Sequence, residues 1–161
     1  MPVDGVSSEQ EVPLLMNWNP TSIVVGIDGS DGSSRAAGIA TEIARSAGAK
    51  LLLVTVIRPP EGWWGIGGAP PTPEALSAAL VEGQQQVLRE TEEQLPLDGV
   101  EHETIAELGD PTSRLIAVAE ERDAGLIVIG KRGAGLAERV MLGSVADRLC
   151  HHSPVPVMVV P

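Results

Sequence analysis

Between Gly130 and Ser144 the chain reads GKRGAGLAERVMLGS. Three glycines, three basic side chains and a closing Gly-Ser pair make a stretch far longer than the two to six residues of an ordinary connection. Gly130 and Gly133 have no Cβ, so the backbone there is free to take left-handed angles and to approach a ligand closely. Successive N–H groups in such a loop form an anion-binding nest. Gly143-Ser144 opens a predicted helix, whose first amides have no intrahelical acceptor and lie at the positive end of its dipole. A dipole of that kind contributes about 0.3–1 kcal/mol per charge when exposed and up to ~2 kcal/mol when partly buried. That is too little to hold a nucleotide alone. Several backbone hydrogen bonds, the Ser144 hydroxyl and Lys131, Arg132 or Arg139 must add to it, and a polyphosphate uses all of these. The plainer alternative is that the glycines only end a strand and cap a helix. The stretch is not a Walker A loop, because no Lys-Ser or Lys-Thr pair closes it, nor the dinucleotide fingerprint, whose glycines are closer together after the first strand.

What must position this loop is an alternation of strands and helices. SIVVGID (Ser22 to Asp28) reads as a buried strand, and GSDGSS supplies a turn with Ser30 or Asp31 as helix cap. The next helix puts Ala36, Ala40, Ile43, Ala44 and Ala47 on one face and stops at Gly48. KLLLVTVI (Lys50 to Ile57) is a second strand. Arg58 to Pro73 is a Gly/Pro-rich loop, followed by a long amphipathic helix from Pro73 to Leu95. VEHETIAEL (Val100 to Leu108) reads as an edge strand. Asp110 caps a third helix with Pro111 at its first position. LIVIG is a fourth strand, SVADRLCHH a fourth helix and VPVMVV (Val155 to Val160) a fifth strand. A βαβαβαβαβ order predicts one α/β domain, a doubly wound parallel sheet with helices on both faces. Residues 1–20, with three prolines and no period, read as an irregular N-terminal extension; residues 21–161 read as the domain. In such a sheet ligands sit beyond the C-terminal strand ends, where strand order reverses. Gly26-Ile27-Asp28 and the long glycine loop both fall at strand exits, and a 3-2-1-4-5 order makes them flank one crevice.

Composition limits the partners. The 161 residues carry 22 acidic against 11 basic side chains, a net charge of −11, which argues against nonspecific nucleic-acid binding. Residues 74–107 hold nine acidic residues and one basic, Arg89, whereas the segment from Gly130 onward is locally basic. No apolar run approaches the roughly 20 residues that cross a bilayer, and no leader-peptide pattern opens the chain. Cys150 is the single cysteine, so no internal disulfide forms and a cytoplasmic location is expected. Phe and Tyr are absent, so the core must be aliphatic.

Other polar residues receive plainer readings. Asp28 could simply cap the first helix. His151 and His152 lie near a helix end with no carboxylate or thiol at ligand spacing, so no protein-built metal site is expected. Cys150 is expected to be a small buried side chain with no partner base. Trp63 and Trp64 stand in the Gly/Pro-rich loop as anchors, as a pocket cover or as a partner contact.

Gly130-x2-Gly133-x9-Gly143-Ser144, IVVGIDGS at the first strand and SPVPVMVVP at the end together resemble the ATP-binding branch of the universal stress protein family, over about residues 21–161. The resemblance implies a five-stranded parallel sheet in 3-2-1-4-5 order that binds ATP, or AMP or ADP, with Mg. It implies Gly26, Ile27 and Asp28 beside the adenosine, with Asp28 near the ribose or a metal-bridged phosphate. Val56 would meet adenine through its backbone. Gly130, Lys131, Arg132, Gly133, Ala134, Gly135 and Leu136 would wrap ribose and phosphates. Gly143, Ser144 and Val145 would hold the phosphate tail. It also implies a homodimer, often through the last strand. No residue stands out as a general base, so the expected role is a regulatory nucleotide-binding protein of the stress response with slow or no hydrolysis. A slow ATPase, or a dimerisation module of the same fold that binds no nucleotide, is the alternative; a flavin protein is a more distant one.

Overall fold

The computed structural model of the chain describes residues 18–58, 72–133 and 141–161. The elements are β1 (Ser22–Gly26), α1 (Asp31–Ala47), β2 (Lys50–Ile57), α2 (Pro73–Gln94), β3 (His102–Leu108), α3 (Pro111–Glu121), β4 (Leu126–Gly130), α4 (Ser144–His152) and β5 (Val157–Val160). All five strands are parallel and lie in the order β3-β2-β1-β4-β5. The chain is an α/β protein with one doubly wound sheet, as the alternation of elements predicts.

Strand period divides the core in two. Ile23, Val25, Leu51, Leu53 and Val128 point to the face covered by α1 and α2, where they meet Ala36, Ala40, Ala44 and Leu88. Val24, Leu52, Val54 and Ile127 point to the other face, against Leu115, Val118 and Leu149 of α3 and α4. Small alanines on α1 let the helix lie close on the sheet; Ala36, Ala37 and Ala40 are wholly buried. The caps are local. Ser30 accepts from the Ser33 N–H, Gly48 ends α1 in the left-handed conformation, and Asp110 caps α3 ahead of Pro111.

Several boundaries differ from expectation. β1 ends at Gly26 rather than Asp28, because the Ile27 N–H is the last to reach β2, at Val54 O, 2.8 Å away. β5 begins at Val157, not Val155. The Ser153 hydroxyl donates to Val155 O and accepts from Val155 N–H, a local turn that withdraws Val155 from the ladder. Cys150 is exposed, not buried. The inward face of α4 is taken by Ala146 and Leu149, and one further residue rotates Cys150 away from it. At the other end, Trp18 Nε1 donates to Gly125 O, and Pro20 packs where a Gly125 side chain would stand. Residues 1–17, Trp63 and Trp64 lie outside the described residues.

Candidate functional site

The pairing of β1 with β4, from Ile23↔Leu126 to Val25↔Val128, brings two strand exits side by side. Helix α1 leaves on one face of the sheet and α4 on the other, so a crevice opens between them. It encloses about 270 Å³, just under the range of roughly 300–1,000 Å³ typical of small-molecule sites. Gly26, Ile27, Asp28, Val56, Gly130, Lys131, Arg132, Gly133, Gly143, Ser144 and Val145 all line it. Ala134, Gly135, Leu136 and Arg139 lie outside the described residues.

The glycines act through close approach rather than through unusual angles. Among the described glycines, positive φ occurs at Gly29, Gly48, Gly99 and Gly109. Gly130 and Gly133 do not use the left-handed angles open to them. Instead, a Cβ on Gly130 would stand 2.7 Å from the Gly32 carbonyl carbon, and one on Gly32 would stand 2.9 Å from Arg132 O. The exit of β4 thus runs against the first turn of α1, backbone on backbone. A Cβ on Gly133 would lie 2.8 Å from Asp28 Oδ2, which sets the two sides of the crevice mouth in contact.

Asp28 does not cap α1; Ser30 does. Asp28 Oδ1 accepts from the Ser30 N–H at 2.9 Å and the Ser30 hydroxyl at 2.5 Å, while the Asp28 N–H donates to the Ser33 hydroxyl. The carboxylate is thereby fixed at the crevice mouth with Oδ2 turned toward Gly133. Lys131 ties the base of the loop at both ends. Its N–H donates to Val160 O and its C=O accepts from Gly143 N–H, at 2.7 and 2.8 Å. Gly143 is therefore the N-cap of α4, with its own N–H given to Lys131 rather than to a ligand. It has no side chain to cap α4, so the amides of Ser144, Val145 and Ala146, the first turn of the helix, are left to face whatever occupies the crevice.

The end of β2 offers a different pattern. In β2, residues 51 and 57 bond toward β3, through Leu51 N–H to Glu101 O and Gly109 N–H to Ile57 O, whereas Val54 bonds toward β1. Val56 shares the phase of Val54, so its N–H and C=O also point toward β1. But β1 pairs with β2 only as far as Gly26↔Val54. The peptide edge of Val56 therefore faces the crevice with no strand beside it. Val54, Leu115, Ile129 and Pro111 supply apolar walls, and Ser33 and Ala146 complete the lining. Sequence reasoning missed these six. The available signal was position: Pro111 follows the exit of β3, and Val54 and Ile129 stand just inside the ends of β2 and β4.

A charged cluster braces the rim. Asp110, next to Pro111, receives Arg148 of α4 and Arg58 at the end of β2 on Oδ1, at 2.8 and 2.6 Å, and Ser113 on Oδ2. Arg148 foremost, then the Ser113 N–H, holds the Asp110 carboxyl far below its ordinary range. Asp110 thus stays ionised and links α3 to α4 beside the crevice.

The family model for the universal stress protein family matches residues 20–161. The chain belongs to the universal stress protein family. A universal stress protein of Methanocaldococcus jannaschii is 34% identical over 145 residues, covering 86% of this chain and 80% of that protein. Among solved structures, a universal stress protein in complex with cAMP is 28% identical with a TM-score of 0.64, covering 89% of this chain and 98% of that one. A universal stress protein from Archaeoglobus fulgidus in complex with dAMP is 25% identical with a TM-score of 0.59, covering 88% and 98%. Among the described residues of this chain, no helix is long and apolar enough to cross a membrane.

Proposed function

We propose that this universal stress protein binds an adenine nucleotide in the β1–β4 crevice, ATP with Mg by preference, and serves as a regulatory rather than a catalytic protein of the stress response. One observation carries the reading: Val56, whose peptide edge has no strand beside it, and the first turn of α4 line one and the same cavity. Val56 offers one donor and one acceptor side by side. Adenine presents the complementary pair, an acceptor at N1 and a donor at its 6-amino group, whereas guanine and hypoxanthine present the reverse. The aliphatic walls suit a flat ring. Ser144, Val145 and Ala146 offer amides to phosphate oxygens, aided by the helix dipole and by Lys131 and Arg132. Gly133 keeps the mouth beside Asp28 free of a side chain, and Gly130 lets the exit of β4 lie against the first turn of α1. Gly26, Ile27 and Asp28 lie beside the sugar, and Asp28 Oδ2 is the group that would meet a phosphate-bound Mg²⁺. The two structural relatives in complex with cAMP and dAMP hold adenine nucleotides, which supports the choice of base.

Hydrolysis should be slow or absent. Among the described lining residues Asp28 is the only acid and there is no His; its Oδ1 is engaged by Ser30 and its Oδ2 is the oxygen assigned above to Mg²⁺. A general base needs a free acceptor within reach of the attacking water. The nucleotide-binding unit runs over residues 21–161, and the exposed free thiol of Cys150 suits a reducing cytoplasm. A second protomer pairs along the outer edge of β5.

Thermal denaturation tests the binding. Ligand at 100 times its Kd adds about 2.7 kcal/mol, so ATP with Mg²⁺ should raise Tm by roughly 5–10 °C for a chain of this size. No rise with ATP, ADP or AMP would sink the reading. Phosphate release on the same sample separates a binding protein from an ATPase.

A further inference from the structure

Helix α2 carries a polar residue where a core residue would serve. Gln84 is 1% exposed, and its Nε2 donates to Thr55 O at 3.3 Å and to Glu107 O at 2.6 Å. Both partners are carbonyl oxygens, so the NH2 end of the amide must face them. Thr55 and Glu107 stand in the β2–β3 ladder, paired with Ala106 and Val56 in register, so the sheet already provides their backbone partners. A leucine would bury equally well and satisfy the fold. The extra donors therefore serve something beyond it.

Thr55 C=O and Val56 N–H are two ends of one peptide group. That group is planar and trans, so its oxygen and its hydrogen point in opposite directions. Holding the oxygen toward β3 aims the hydrogen toward β1, into the crevice. Past Gly26 no strand is left on that side to set the angle. Loading the carbonyl with a second hydrogen bond also polarises the peptide and makes its N–H a better donor. We propose that Gln84 is a positioning residue that sets adenine specificity by fixing the Thr55–Val56 peptide from beneath the sheet. It touches no ligand itself. The inference rests on the reading of Val56 as the base-recognition edge.

The test compares ATP with ITP, whose base has an oxygen for the 6-amino group and a proton on N1, by titration calorimetry on the full chain. Wild type should prefer ATP. Gln84→Met keeps length and flexibility but removes both donors. It should weaken ATP binding about tenfold while ITP changes by no more than about twofold, so that the preference collapses. Gln84→Asn, which keeps the amide but cannot span both carbonyls, should narrow the preference in the same direction, and it serves if the Met variant does not fold. Leu88→Ala loosens the same helix one turn on; it should lower Tm and leave the ATP:ITP ratio at the wild-type value. A folded Gln84 variant with the wild-type ratio, or a wild type that binds ATP and ITP equally, overturns the role of Gln84 while leaving nucleotide binding intact. A wild type that binds neither overturns the nucleotide reading and this role with it.

Discussion

Gly130 and Gly133 answer to different neighbours, and substitutions separate them. A methyl on Gly130 meets the Gly32 backbone at 2.7 Å, where neither chain can yield without moving a helix or a strand. Overpacking of this kind costs about 1–3 kcal/mol, so Gly130→Ala should lower Tm by roughly 3–10 °C. At Gly133 the neighbour is the end of a carboxylate, and the φ is not positive, so the fold should accept a side chain. Gly133→Asp adds a second negative group against Asp28 at the mouth of the site. ATP affinity measured by calorimetry should fall about tenfold or more with Tm of the free protein nearly unchanged. The sequence shows that these positions are glycines in a strand-to-helix loop. It does not show which atoms they face, because Gly32 and Asp28 are about a hundred residues away and meet them only through the β1–β4 pairing. Gln84 was invisible for a similar reason. On a helix with many polar residues, nothing local marks one glutamine as the buried one.

The elements were more legible, since caps and periods are local. Asp110-Pro111, Ser30 and Gly48 act where their residue types predict, and the alternation in HETIAEL matches a strand at the edge of the sheet. The ends of β1 and β5 were less so. They depend on which neighbouring strand continues and on a hydroxyl turn at Ser153. Strand β3 carries a further consequence. Glu103 receives both terminal guanidinium nitrogens of Arg122 at 2.9 Å and Lys50 at 2.8 Å. Arg122 first, then Lys50, lowers the Glu103 carboxyl to about 2 from an ordinary 4.5. A carboxyl with a lower pKa folded than unfolded stabilises the fold when ionised. That contribution is complete above about pH 4.5 and is lost as pH falls from there to about 2. Glu103→Gln should therefore flatten the acid limb of the stability–pH curve in that window and leave its shape near neutrality unchanged, as read by urea unfolding at stepped pH. The effect should be small, because all three side chains are partly exposed.

At the scale of the molecule, alternation of elements was enough to give a parallel sheet, whereas the 3-2-1-4-5 order followed only from the family resemblance and is the order the sheet adopts. The crevice follows from that order. Assembly is the next level. β5 is the last strand of the sheet, with β4 on one side only, and its side chains are mostly half-buried apolar ones. Such an edge pairs readily with a second copy, and a charge on it blocks pairing. Val159→Lys should convert a dimer into a monomer in sedimentation velocity, while ATP still raises Tm. A wild type that sediments as a monomer at all concentrations would remove the edge-pairing proposal.

The backbone contact between Gly32 and Gly130 has a mechanical consequence. Two main chains that touch with nothing between them cannot slide apart gradually, as side chains that change rotamer can. The start of α1 and the exit of β4 form a single stiff jaw. Opening or clamping then falls to the other jaw, where α4, seated on the core through Ala146 and Leu149, is tied at the crevice by the Lys131–Gly143 hydrogen bond and the Arg148–Asp110 ion pair.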